Sequence, residues 1–220
     1  MKSKNKEPIG HLEWINPKKF RYNSKKFNII FIENYFNWFN NNILKNIKGN
    51  ILQIGGGSQS GLISVILSKI TNQLTILDYS LNMINIVKKT IKLNLNSCNE
   101  IKFVQEKMEN YSELHNFDNI IFTFSMSFSE IDKTIKNLDK NCKIGCKILI
   151  IETMRPFIEL MITNLIKKDK KFYLNWKNNS LKIEKLLDNN KNWKKIYKTK
   201  IIKGFKSNLP IIILNYIKIK

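Results

Sequence analysis

Between residues 48 and 155, short apolar runs alternate with longer segments whose apolar positions recur at helical spacing. Ile51–Ile54 is a compact strand pattern. It is followed by Gly55-Gly56-Gly57 and by an apolar helix over 60–70. A second strand over 74–78 ends in Asp78. The next segment, 81–94, places Leu81, Ile84, Val87, Ile91 and Leu95 near the helical period of about 3.6 residues. Strands are expected over 101–104, 118–124 and 146–152, separated by a short helical or irregular segment over 107–116 and a helix over 129–139. Together these elements predict an α/β fold: a mostly parallel sheet covered by helices on both faces.

After Ile151 the rhythm changes. Residues 156–190 read as helical, with Pro156 suited to a first helical turn. Two more strands, over 193–203 and 209–218, are joined by Gly204 to Asn208. That connection is short enough for a hairpin, so the last two strands should be antiparallel. At the other end, residues 1–26 form a polar, lysine-rich arm with Trp14 and Phe20 as anchors, and 27–47 reads as a helix with Ile29, Ile32, Phe36 and Phe39 among its apolar positions. The expected division is an arm and helix over 1–47 and a domain over 48–220.

A chain of 220 residues is long enough for one good core. No apolar run approaches the roughly 20 residues needed to cross a bilayer, and no secretory pattern opens the sequence. The expectation is a soluble, cytoplasmic protein. Cys98, Cys142 and Cys146 form no C-x-x-C pair, and His11 and His115 are the only histidines, so no metal site is expected.

The formal charge of +21 is unevenly placed: +7 over 1–50, +2 over 51–155 and +12 over 156–220. A basic flank attracts anions, nucleic acid included, and also keeps a protein soluble. Yet the chain has no alanine and only two arginines, Arg21 and Arg155, while Lys, Asn and Ile dominate. That bias fits an AT-rich coding sequence. Arginine, the better bidentate reader of phosphates and bases, is nearly missing.

The chemistry concentrates at the first strand and the second. A tight glycine turn lets backbone approach a nucleotide closely, and an acid at the tip of the next strand can accept hydrogen bonds from ribose hydroxyls. Five segments then line up in order: Ile51-Leu-Gln-Ile-Gly-Gly-Gly57, Leu77-Asp-Tyr-Ser-Leu-Asn-Met83, Phe103-Val-Gln-Glu-Lys-Met-Glu-Asn110, Phe117-Asp-Asn-Ile-Ile-Phe-Thr-Phe-Ser125 and Gly145-Cys-Lys-Ile-Leu-Ile-Ile-Glu-Thr-Met-Arg-Pro156. In these segments the chain resembles the class I, seven-stranded S-adenosylmethionine-dependent methyltransferases.

The resemblance implies a three-layer Rossmann-like sandwich, with a mostly parallel seven-stranded sheet and an antiparallel C-terminal hairpin. It implies S-adenosyl-L-methionine as cofactor, held by Gln53, Gly55, Gly56, Gly57, Asp78, Tyr79, Met83, Met108, Glu109 and Ser125. Met126 and Phe128 would face the acceptor, with Trp14 on the arm as part of a cap over 1–47. Three positions depart from the family pattern. Gln53 replaces the usual acid of the first motif, Gln59 stands where its third glycine is expected, and Lys107 occupies the place of an acid near adenine.

Methyl transfer from a sulfonium is an in-line displacement, so alignment supplies much of the acceleration. Candidate bases are His115, His11 and Glu152. Phe124-Ser-Met-Ser-Phe128 lacks the prolines of amino-methyltransferases acting on bases, and no Pro-Cys pair exists for a cytosine C5 enzyme. The wording is more similar to small-molecule methyltransferases, quinone-precursor enzymes among them. Two alternatives stay open: an RNA-binding or non-catalytic protein using the basic 156–220 region with Phe172, Tyr173, Trp176 and Trp193, or transfer of the cofactor's aminocarboxypropyl arm.

Overall fold

The computed structural model describes residues 43, 46–56, 61–71, 73–94, 100–153, 178–179, 182–201 and 211–220. The N-terminal arm, most of the helix expected over 27–47, the turn over 57–60 and much of 156–190 lie outside the described residues. Seven strands form one sheet: β1 (Ile51–Ile54), β2 (Gln73–Asp78), β3 (Glu100–Gln105), β4 (Asn119–Thr123), β5 (Lys147–Thr153), β6 (Trp193–Ile201) and β7 (Ile211–Lys218). Their spatial order is β3-β2-β1-β4-β5-β7-β6. The first five run parallel, and β7 pairs antiparallel with both β5 and β6. This is the seven-stranded Rossmann-like α/β fold expected from the sequence.

Alternate strand residues feed two cores. Leu52, Ile120, Phe122, Ile148 and Ile150 pack on one face with Ile135 and Leu138 of α3 (Ile131–Asn141) and with Ile183 and Leu187 of α4 (182–188). Ile51, Ile76, Ile121 and Leu149 pack on the other with Ile63 and Leu67 of α1 (Gly61–Ile70) and with Val87 and Ile91 of α2 (Leu81–Asn94). A strand buried on both faces must be apolar at every position, which is why β1 reads Ile-Leu-Gln-Ile with one polar exception.

The C-terminal hairpin is tied down by charge as well as by pairing. The Lys218 ammonium donates to the carbonyls of Leu138 and Asp139, and lies 5.7 Å from the Trp193 ring. A cation at the carbonyl end of α3 meets the negative end of that helix's dipole. On α4, Glu184 pairs with Lys195 at 2.9 Å and with Lys198 at 2.6 Å. Asp188 pairs with Lys195 at 2.6 Å and accepts the Tyr216 hydroxyl at 2.7 Å.

Two boundaries shift for local reasons. The strand expected over 118–124 stops at Thr123, because Phe124 takes a left-handed φ of 53°. The helix expected over 129–139 runs Ile131–Asn141. The segment over 107–116 forms only a 3-10 turn, Glu113–Asn116.

Candidate active site

The sheet order places β1 between β2 and β4, so the connections leaving β1 and β4 run to opposite sides, the switch point at whose carboxyl edge such sheets bind ligands. Gly55 and Gly56 leave β1 at that edge. The Gly55 N–H donates to Leu77 O at 3.0 Å, extending the parallel ladder to the last residue before Asp78. Gly55 has φ 76°, and a Cβ there would stand 2.4 Å from Ser125 Cβ. A Cβ on Gly56 would stand 2.4 Å from Ile76 Cγ2. Neither position tolerates a side chain, because Ser125 and Ile76 already fill the space a Cβ would need.

Asp78 ends β2 and is partly buried. Its Oδ1 accepts the Ser80 N–H at 2.9 Å, and Ser80 in turn starts α2 by offering Oγ to the Met83 N–H at 3.4 Å. Burial pushes the Asp78 carboxyl up to about 7, against the opposing pull of the Ser80 hydrogen bond. The acid therefore both shapes the start of a helix and presents a desolvated carboxylate beside the glycine turn.

Gln53 is wholly buried under the turn rather than open at the carboxyl edge. Its Oε1 accepts the Ser64 hydroxyl at 2.6 Å and its Nε2 donates to Thr123 Oγ1 at 3.4 Å. Thr123 Oγ1 lies 3.0 Å from Ile54 O and 2.8 Å from Gly55 O. A neutral amide bridges these hydroxyls without a buried charge, which accounts for glutamine at this position.

Several other expected site residues make contacts within the protein. Ser125 Oγ donates to Ile54 O at 2.9 Å, clasping the end of β4 to the end of β1. Met126, expected on the acceptor side, is fully buried in the core with Leu52 and Phe122. Met108 belongs to the same core, and Met83 is buried as well. Apolar thioethers fill these gaps because they are flexible. Glu109 Oε1 accepts the Glu130 N–H at 2.6 Å, joining the segment after β3 to the start of α3. Tyr79 is partly buried, and its carbonyl accepts Gln105 Nε2 at 3.5 Å. Lys107 is exposed. Phe128 closes the short turn Met126–Phe128 beyond β4.

Among the candidate bases, His115 is exposed in the turn next to Asn116, whose carbonyl accepts Asn50 Nδ2 at 3.2 Å just before β1. That is the amino edge of the sheet, opposite the glycine turn. Glu152 is enclosed at the end of β5, where burial pushes its carboxyl up to about 7. Its oxygens face Ser127 rather than open space. His11, Trp14, Gly57 and Gln59 lie outside the described residues.

Sequence reasoning missed Thr123, Ser127, Asn137 and Asn179. Asn137 Nδ2 donates to Met108 O at 2.6 Å and Tyr111 O at 2.9 Å, fixing the segment after β3. Small polar residues of this kind carry no motif signal; only their tertiary partners reveal them.

A glycine turn where no Cβ fits, a desolvated acid at the next strand tip and a seven-stranded sheet with an inserted antiparallel strand define a class I S-adenosylmethionine-dependent methyltransferase. The chain belongs to the ubiE/COQ5 methyltransferase family, whose sequence pattern matches residues 27–198. No curated protein matches it. Solved structures share the fold at low identity. A candidate S-adenosylmethionine-dependent methyltransferase of Methanococcus maripaludis has a TM-score of 0.63 at 20% identity, covering 100% of this chain and 98% of that one. The plantazolicin methyltransferase BpumL, with S-adenosylhomocysteine and a pentazolic substrate analogue, has a TM-score of 0.59 at 18% identity and covers 94% of each chain. Magnesium protoporphyrin IX methyltransferase of Synechocystis, with bound S-adenosylhomocysteine, has a TM-score of 0.57 at 14% identity, covering 89% of this chain and 83% of that one.

Proposed function

We propose that this enzyme methylates a small organic acceptor, with the nucleoside of its cofactor at the carboxyl edge of β1 and β2 and the acceptor beyond the end of β4. The observation that carries the reading is Asp78, a partly buried, desolvated carboxyl group beside the glycine turn. Its charged form is an acceptor suited to the ribose diol, and the main chain at Gly55 and Gly56 is where the methionyl part would approach. When bound, S-adenosylmethionine supplies a methyl group on a sulfonium. The chain's own task is to hold and align the two reactants and to exclude water.

The rim is built for that task. Ser125 and Thr123 fix the end of β4 to the glycine turn, and Asn137 and Glu109 fix the segment after β3. Tyr79 and Glu109 are the residues of the expected adenine side that remain partly open. We read residues 1–47 as a cap over the acceptor side and the protein as cytoplasmic; among the described residues no helix is long and apolar enough to cross a membrane. Two of the similar folds are named for organic acceptors, which supports the substrate class.

One observation weighs against a nucleic-acid face on β6: its Lys195 and Lys198 are already paired with Glu184 and Asp188. Titration calorimetry with S-adenosylhomocysteine tests the cofactor site. The expected outcome is micromolar binding, weakened about tenfold or more in Asp78→Ala, the cost of losing hydrogen bonds to a charged group. Undetectable binding by the unsubstituted chain would defeat the reading. A panel of phenols, hydroquinones and amines tests the acceptor, with S-adenosylhomocysteine as the expected product; methylthioadenosine would signal aminocarboxypropyl transfer instead.

A further inference from the structure

Glu152 is 3% exposed, and its carboxylate is surrounded by donors from one short turn. The Ser127 N–H donates to Oε1 at 3.1 Å, the Ser127 hydroxyl donates to Oε2 at 3.0 Å, and the Met126 N–H points at the same carboxylate. The turn's carbonyls are held from the other side. Asn179 Nδ2 donates to Ser127 O at 2.9 Å and reaches Ser129 O at 3.4 Å. Just before the turn, Ser125 Oγ grips Ile54 O beside the glycine turn. The segment beyond β4 is thus fixed at its amides, its carbonyls and its hydroxyl.

A buried carboxylate is an expensive way to stabilise a loop, since apolar packing in its place is often as stable. What a carboxylate adds is a second acceptor oxygen, so that several donors are held in a set arrangement. Glutamine in its place would offer one acceptor oxygen instead of two to the Met126 and Ser127 N–H groups, its NH2 turning to the Ser127 hydroxyl.

We propose that Glu152 is a positioning residue for methyl transfer, its carboxylate holding the Met126–Phe128 turn at the distance from the glycine turn that aligns acceptor with donor. Glu152 touches neither reactant; it acts through Ser127. The inference rests on the acceptor lying beyond β4, as proposed above.

The test uses the full chain with Glu152→Gln and, because a buried substitution can prevent folding, with the partly exposed Asn179→Ala as second variant. Three quantities are read: S-adenosylhomocysteine affinity, amide exchange of Met126 and Ser127, and kcat and KM for an acceptor found in the panel. In Glu152→Gln the affinity should stay within about twofold, because the nucleoside site is built on β1 and β2. Exchange at Met126 and Ser127 should rise about tenfold or more, and kcat should fall about 10- to 100-fold, as a displacement near 1 Å costs. Asn179→Ala should move the same quantities less far. Unchanged exchange in the variants overturns the proposal, and so does faster exchange with kcat and KM intact. An unsubstituted chain that binds S-adenosylhomocysteine but methylates nothing in the panel overturns the acceptor reading itself, a failure visible without any variant.

Discussion

At the scale of single residues, two desolvated acids should make this protein respond to pH near neutrality. Asp78 and Glu152 are both pushed up to about 7, chiefly by burial. Unfolded carboxylates titrate near pH 4. Between about pH 4 and 7 the folded chain therefore holds more protons than the unfolded one. The stability these acids contribute is complete below about pH 4 and is lost as pH rises through about 7. With Asp78 on the ribose, as proposed, cofactor affinity is expected to run the other way, because an ionised carboxyl is the better acceptor for hydroxyls. The ligand-free protein should melt at a higher temperature at pH 6 than at pH 8, and the difference should shrink in Asp78→Asn and in Glu152→Gln. S-adenosylhomocysteine affinity should be greater at pH 8 than at pH 6, and this preference should vanish in Asp78→Asn. Variants that keep the full pH dependence of both quantities would refute the assignment.

At the scale of elements, α4 and the C-terminal hairpin are joined by a cluster of ion pairs. Glu184 alone answers two lysines of β6. Those side chains keep about a third of their surface in water, with Glu184 at 26% and Lys198 at 32%. Such pairs are worth at most about 1 kcal/mol and are screened by salt. Glu184→Gln should therefore lower the unfolding free energy in urea by about 1 kcal/mol or less at low ionic strength, and the loss should fade near 1 M salt. A loss of several kcal/mol that persists in salt would show the network to be a desolvated anchor. The lysines also have a second effect: β6 is the edge strand, and charged edges resist pairing with other chains.

At the scale of the whole molecule, the strand order decides where function can sit. Parallel strands all end at one edge, and the strand order reverses between β1 and β4, the switch point at which such sheets bind ligands. A ligand bound there touches β1, β2 and β4 together, so binding stabilises the sheet as a unit. S-adenosylhomocysteine at about 100 times its dissociation constant should add about 2.7 kcal/mol to stability, read as a raised thermal midpoint. The increment should largely disappear in Asp78→Ala at the same concentration. A midpoint that does not move in the unsubstituted protein would argue against binding to the native fold.

The sequence by itself determined the architecture of this protein. Short, mainly apolar runs at β1 and β4, helical periodicity over 81–94 and a short turn between two late strands are local patterns, and each points to one element. It also marked the glycine turn and Asp78, because an absent Cβ and a strand-tip acid are visible in residue identity. Only the tertiary structure decided what the remaining candidates do. Met126 and Met108 went to the core, Ser125 and Gln53 to clasps beneath the turn, His115 to the far edge and Glu152 to a buried clamp. The physical reason is that a hydrogen bond or a packed contact belongs to two residues. Gln53 and Ser64, Ser125 and Ile54, Glu152 and Ser127 become partners only once the strands have been set side by side.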